Sequence, residues 1–489
     1  MKCYLLGIDL GTSSVRAGIF REDGERAAIA ARTYPIKTPS PGWAEQNPED
    51  WWNKTCECIK EALNSAHLTG NDIKGISFSA QTHGVVLLDR DGNHLVPAII
   101  WADARSSDEI PELEEIIGEK RLEKVIMNRI FPGTQAATIR WMQKHAKDVW
   151  KNTRRILLPK DYLRYRMCGL FNTEPSDASC TLLFDSRVRE WSQDILDVLE
   201  IPREYMPYVV NSDQYIGETE NMEDAAGIPD GVPVIMGGSD QPCAALGNGI
   251  IDEGAMLVTI GTGRQIFAPT ESPITSPELC LNTFCHLPET RWYVMGATLS
   301  AGLSLRWFRD TFCPGTDFDT LASEAADVTP CAEGLLFVPY LAGKRSPDLN
   351  PSAAGEFAGI KLTHTRGHFV RAVMEGVAFD LRENLDVMTG MGLEPETMIC
   401  SGGAANSPLW LQITADIFNR PLMISAQDEQ ACFGAALTAG IGTEVYKNYY
   451  EAVEIVKKPE KTVEPLEENK GKYEKQFEKF KKIYRDSIG

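Results

Sequence analysis

Asp9 stands inside an apolar run, YLLGIDLG, and is followed at once by Gly11, Thr12, Ser13 and Ser14. A carboxylate at the end of a buried strand needs a cation, a donor or water beside it. The glycine lets backbone come close to a ligand, and the three hydroxyl residues add O–H to N–H donors. Together these suit phosphate oxygens with a metal ion alongside. A plain hairpin turn explains the same residues if nothing binds, since Asp and Gly are ordinary turn formers.

The stretch MLVTIGTGRQIF, residues 256–267, repeats the pattern. Aligning Gly11-Thr12 with Gly261-Thr262 matches the apolar runs on both sides and sets Asp9 opposite Thr259. Two hairpins facing each other across a cleft would hold one polyphosphate, with the acid on one side only. Short Gly-Thr hairpins also recur by chance.

Other polar groups sit at strand ends. Asp240 and Gln241 follow a strand over 232–236 and Gly237-Gly238. Gly402-Gly403 follow a strand ending at Cys400 and precede a helix with Ser407 as N-cap and Pro408 at its first turn. A glycine pair before a helix N-terminus can seat a nucleotide, or simply turn the chain. Neither a Walker-type GxxxxGK[ST] nor a GxGxxG occurs. Gln81, Thr82, His83 and Gly84 lie between two apolar runs, where His83 reads first as a surface histidine. Trp101, Asp103 and Arg105 form either a sugar-binding set or a packed salt bridge. His364 and His368 are four apart, but no third ligand stands out, so no zinc site is expected.

These residues need a frame to position them. A chain of 489 residues exceeds one core, so two domains are expected. Strand, Gly-Thr turn and strand open each half, which places the boundary near GNGIIDEGA: residues 1–247 and 248–489. The run ACFGAALTAG reads as a helix packed closely on a neighbour. Tyr473, Phe477, Phe480 and Tyr484 share one face of a terminal helix over 470–487 that docks on the body.

Bulk properties narrow the function. A net charge of −20 argues against nucleic acid and against an anionic membrane surface. No apolar run is long enough to span a bilayer. Asp9 and Gly11 interrupt the apolar N-terminus, which argues against a secretory signal. Twelve cysteines form no CxxC pair, so free thiols in a reducing cytoplasm are expected.

Along almost its whole length the chain resembles the FGGY carbohydrate kinases. The shared segments are GIDLGTSSV, GWAEQNPEDWW, AQTHG, LLPKDYLRYRMCG with SDAS, GGSDQ, IGTG, FCH, PYLAGKRSPDLNP and SGGAANSPLW. None is specific alone; the ordered set is. The resemblance implies an α/β fold of two ribonuclease-H-like domains around a central cleft, as in the actin and hexokinase ATPases. It implies ATP and Mg²⁺ as cofactors, with Asp9 at the metal. Gly11, Thr12, Ser13, Arg16, Gly261, Thr262 and Gly263 would meet the phosphates, and Gly302, Gly402, Gly403 and Asn406 the nucleotide. Asp240 matches the catalytic base. Gln81, Thr82, His83, Asp103 and Gln241 match or neighbour the sugar contacts.

Within the family the motifs look most like the members that phosphorylate D-xylulose to the 5-phosphate, and these suggest a homodimer. The sequence departs from them at Thr82, often Met, at Gln241, often Asn, and at Gly263-Arg264, usually Ser-Gly. Another ketose, a polyol or a sugar acid is therefore the alternative substrate. A chaperone-like or filament-forming ATPase is the distant alternative, and Asp240 argues against it.

Overall fold

Tyr4–Leu10 and Ser14–Arg21 pair antiparallel, which sets Asp9 across from Arg16. Arg26–Thr33 extends the sheet antiparallel on one side. Ile73–Ala80 lies parallel to the first strand on the other side, with Pro233–Ile235 beyond it. A parallel neighbour needs a crossover, and the helix Pro48–Ala66 supplies one. Asn47 caps that helix, Pro48 opens it and Glu49 and Asp50 fill its first turn. Its inward face buries Trp51, Cys58, Ile59 and Ala62. Truncating a fully buried Trp such as Trp51 to Ala costs about 3–5 kcal/mol. This computed structural model describes residues 3–488 except Thr262, so the expected phosphate contact at Thr262 lies outside the described residues.

The second half repeats the arrangement. Ala255–Ile260 pairs antiparallel with Arg264–Thr270, which pairs with Trp292–Thr298. Thr397–Ser401 and Leu422–Ile424 continue the sheet in parallel on the other side. The helix Arg366–Gly390 makes the crossover. Both sheets thus run in the same order about the first strand of each half, the ribonuclease-H-like topology that the family resemblance implied.

One detail corrects the alignment of the hairpins. Leu10 pairs with Val15, but Ile260 pairs with Arg264, so the second turn is one residue shorter. Arg264 therefore takes the register position of buried Val15 and is itself only 2% exposed. Its three guanidinium nitrogens find no hydrogen-bond partner among the described residues, and burial draws its pKa down to about 9. Further along the second half, a short strand Glu356–Ala358 pairs antiparallel with Leu336–Val338.

The halves share a core. The helix Gln430–Gly442 packs on the first sheet and crosses the helix Asp240–Gly247. A Cβ on Gly434 would stand 1.9 Å from the Cys243 carbonyl oxygen, so the small residues there are what allow contact. At the C-terminus, Glu467–Ile488 forms the terminal helix, and Tyr473, Phe477, Phe480 and Tyr484 are buried on its inner face. All twelve cysteines are free thiols. Among the described residues no helix is long and apolar enough to cross a membrane.

Candidate active site

Asp9 is 8% exposed, at the end of its strand. Its Oδ1 accepts a hydrogen bond from Ser79 Oγ at 2.9 Å, on the parallel neighbour. Arg16 Nη1 stands 3.7 Å from Oδ2, while Arg16 Nε pairs with Glu429 at 2.8 Å. Burial pushes Asp9 up to about 6, against the pull of Ser79 and Arg16. The following turn is braced from outside. Gly11 N–H donates to Ser14 O, the Tyr34 hydroxyl donates to Gly11 O, and Gln46 Nε2 donates to Thr12 O at 2.6 Å. Trp101 Nε1 donates to Thr12 Oγ1 at 2.9 Å. Gln46 Oε1 in turn accepts from Trp51 and Gln81, so one amide joins helix, turn and strand.

The second hairpin mirrors this without the acid. Thr259 and Ser401 hydroxyls lie 3.3 Å apart, in the register places of Asp9 and Ser79. Gly302 N–H donates to Gly261 O, and Gly261 N–H to Gly263 O. Gly402 has φ +90°, and a Cβ there would press on Ile260 O at 2.7 Å. Ser407 caps the helix Pro408–Phe418 as expected. A cavity of about 460 Å³ is lined by Gly261, Gly302, Gly403, Asn406, Met374 and Trp410. Gly403 and Asn406 also line a second space of about 610 Å³ that reaches Asp9 and Arg16. The two spaces thus adjoin, and they join the two hairpins.

Asp240 enters the same place from a third element. Gly238 and Ser239 pair with Ser79 and Ala80, and Asp240 begins the next helix. Burial, and then the charge of Asp9, push Asp240 up to about 7, while Gln241 pulls it down. Two carboxylates from separate motifs therefore lie within each other's field. Beneath them Lys160 Nζ sits 3.2 Å from Asp161, 3.2 Å from Glu174 and 3.9 Å from Asp177, all completely buried. Glu174 accepts from Ser176 Oγ, and Ser176 Oγ accepts from Ser239 N–H at 3.0 Å. This chain of contacts fixes the backbone just before Asp240.

Gln81, Thr82 and His83 continue from the strand that carries Ser79. His83 is 5% exposed and left-handed at φ 68°, so it is no surface histidine. Its Nδ1 donates to Cys180 O at 2.6 Å; a carbonyl only accepts, so Nδ1 carries the proton. Burial and then the Arg345 guanidinium push His83 down to about 3, leaving it neutral with Nε2 as an acceptor. The Oε1 atoms of Gln81 and Gln241 are buried without a partner among the described residues. Asp103 is different. Arg105 and Ala44 N–H engage both its oxygens, and Arg105 also meets Glu45 and the Trp43 ring.

Ser79, Gln46, Cys180, Lys160 and Arg345 carried no individual signal in the sequence. Only their positions in family-like segments could have drawn attention to some of them. His364 and His368 stack with no third ligand, and no group of metal-ligating side chains occurs among the described residues.

Residues 4–247 match the N-terminal domain, and residues 256–443 the C-terminal domain, of the FGGY family of carbohydrate kinases. The chain is 35% identical to the xylulose kinase of Bacillus subtilis (strain 168) over 482 residues, 98% of this chain and 96% of that one. It is 30% identical to the gluconokinase of the same strain over 450 residues, 89% and 87% of the two chains. Among solved structures, a xyloylose kinase from Brucella ovis superposes with a TM-score of 0.91 at 30% identity, covering 99% of both chains. Two domain matches that together cover most of the chain settle the assignment: the chain belongs to the FGGY family of carbohydrate kinases.

Proposed function

We propose that this carbohydrate kinase transfers the terminal phosphoryl group of ATP to D-xylulose, giving D-xylulose 5-phosphate. The carrying observation is the pair of carboxylates at one sheet end, Asp9 on the phosphate hairpin and Asp240 on the helix beside it. A sugar hydroxyl is a poor nucleophile until its proton has an acceptor. Asp240 takes the O5–H proton as the O5–P bond forms and the bond from phosphorus to ADP breaks. A base held near pH 7 suits this role. The remaining catalysis is positioning and charge neutralisation.

Asp9 has one hydrogen-bond donor, Ser79, and its carboxyl stays raised because burial outweighs Ser79 and the Arg16 guanidinium 3.7 Å away, which is itself paired with Glu429. That fits Mg²⁺, which takes one or two carboxylates and completes its shell with phosphate and water. When bound, Mg²⁺ would offset charge on the transferring phosphate oxygens. Gly11, Thr12, Ser13 and Arg16 face the phosphates from one side, with Gly261 and Gly263 opposite, and the sequence match adds Thr262 to the phosphate contacts. Gly302, Gly402, Gly403 and Asn406 line the nucleotide, whose base takes the space beside Trp410. Gln81, Thr82, His83 and Gln241 contact the sugar. Asp103 we leave out of that set, because its carboxylate is fully engaged by Arg105 and Ala44 and braces the wall instead.

We divide the chain at 247/248 into a sugar-binding and a nucleotide-binding domain, and place it in the cytoplasm, which suits its free thiols. A second reading, the same chemistry on a sugar acid or another ketose, is favoured by Thr82, Gln241 and the gluconokinase relative. The test is ADP release with Mg-ATP across D-xylulose, D-ribulose, L-ribulose, L-xylulose, glycerol and gluconate. The proposal expects the highest kcat/KM for D-xylulose; preference for another member selects the second reading, and no stimulation by any member overturns both.

A further inference from the structure

We propose that Arg345, from the second half of the chain, donates to the C2 carbonyl oxygen of the sugar while His83 Nε2 accepts from the C1 hydroxyl, so that the pair selects a ketose. This inference rests on the reading of the chain as a D-xylulose kinase.

Arg345 lies between the short strands Leu336–Val338 and Glu356–Ala358, yet it reaches the first half. Its guanidinium carbon stands 4.6 Å over the Phe131 ring. Phe131 in turn meets His83 edge-on at 5.3 Å. The guanidinium makes no side-chain hydrogen bond and no salt bridge with any described residue. Arg105 and Arg371, both buried, lie on Asp103 and Glu45 and on Glu375, whereas Arg345 is half-buried and in no ion pair with a described residue. Its open side leaves the guanidinium N–H groups free to meet a ligand oxygen. Burial draws Arg345 down to about 10, which leaves it charged near neutral pH.

Cys180 ties this corner to the base. Its carbonyl fixes the His83 tautomer, and its thiol feels the charge of Asp240. A sugar with its reacting oxygen at Asp240 therefore extends its far end past Cys180 toward His83 and Arg345. Phosphorylation of O5 requires O5 to be free, so the sugar is bound with C2 as an open carbonyl. The end away from Asp240 is then a hydroxyl beside a ketone, which asks for one acceptor and one donor side by side. His83 Nε2 is a bare acceptor, and the guanidinium is only a donor.

The test compares D-xylulose with xylitol, which has the same carbons but a hydroxyl in place of the ketone. KM for D-xylulose and the inhibition constant of xylitol are measured for the wild type, Arg345→Gln and Arg345→Lys. The inference expects Arg345→Gln to raise the D-xylulose KM by about 10- to 100-fold, the scale of one hydrogen bond from a charged donor. Xylitol inhibition should weaken less than the D-xylulose KM, because its C2 hydroxyl also accepts but from a tetrahedral carbon, off the direction of the carbonyl oxygen, a separation that mere loss of structure would not produce. Arg345→Lys should recover part of the difference. An unchanged KM in Arg345→Gln, or equal weakening of both ligands, overturns the inference. A wild type that does not phosphorylate D-xylulose overturns the proposed function first, and this inference with it.

Discussion

Replacing Lys160 by Met removes the cation paired with Asp161, Glu174 and Asp177 at 3.2, 3.2 and 3.9 Å, with all four side chains fully buried. Arg164 is the remaining cation nearby, and its guanidinium is committed to the Leu170 and Asn172 carbonyls. Removing one partner of a buried ion pair costs about 3–5 kcal/mol, because the other charge stays buried and unpaired. The sign with pH follows from Asp177, which burial already holds well above the usual carboxylate range and which Lys160 pulls down. Without Lys160 the folded-state value rises further. A group raised in the folded state loses its stability contribution as pH climbs from its unfolded value, about 4, through its folded value. The deficit of Lys160→Met should therefore be full at pH 8 and shrink at pH 5.5, where Asp177 takes up a proton in the folded chain. Urea unfolding of wild type and variant at both pH values reads this directly. The expected loss is about 3–5 kcal/mol at pH 8, with roughly half recovered at pH 5.5. An equal deficit at both pH values, or one below about 1 kcal/mol, would refute the reasoning.

Two further outcomes follow from the same geometry. With Asp240 pushed up to about 7, kcat/KM for the sugar should climb about tenfold per pH unit below that value and level off above it. A profile from pH 5.5 to 9 checks this, and a flat one removes Asp240 as the base. Gly434→Ala places a methyl 1.9 Å from the Cys243 carbonyl, on backbone that cannot swing aside. A loss of at least about 1–3 kcal/mol is expected, seen as a lower melting temperature, while Gly471→Ala on the exposed side of the terminal helix should be neutral or stabilising.

Much of the frame was readable in the sequence because it is written locally. Apolar runs broken by Gly-Thr gave both hairpins, the Ser407-Pro408 pair gave a helix start, and the aromatic spacing gave the terminal helix. The ordered motifs then named the family. What stayed hidden depends on pairings distant in the chain. The shortened second turn is a matter of register, and without it Arg264 appears in the wrong place. His83 reads as an exposed turn residue until Cys180, Phe131 and Arg345 close over it from separate segments. Asp103 offers the same letters whether or not Arg105 holds it, and only the fold shows that it does. Gln46 looks like an ordinary polar residue, yet it braces three elements at once.

The central claim is that Asp240 removes the proton of the attacking hydroxyl. The most direct measurement is the single-turnover rate of ADP formation when D-xylulose is mixed with preformed enzyme–Mg-ATP complex. Wild type and Asp240→Asn are compared, with Kd for Mg-ATP measured on both. The account predicts an Mg-ATP affinity within about threefold of wild type and a turnover rate lower by about 10²- to 10⁴-fold. A variant that binds Mg-ATP normally and still turns over within about tenfold of wild type would contradict it.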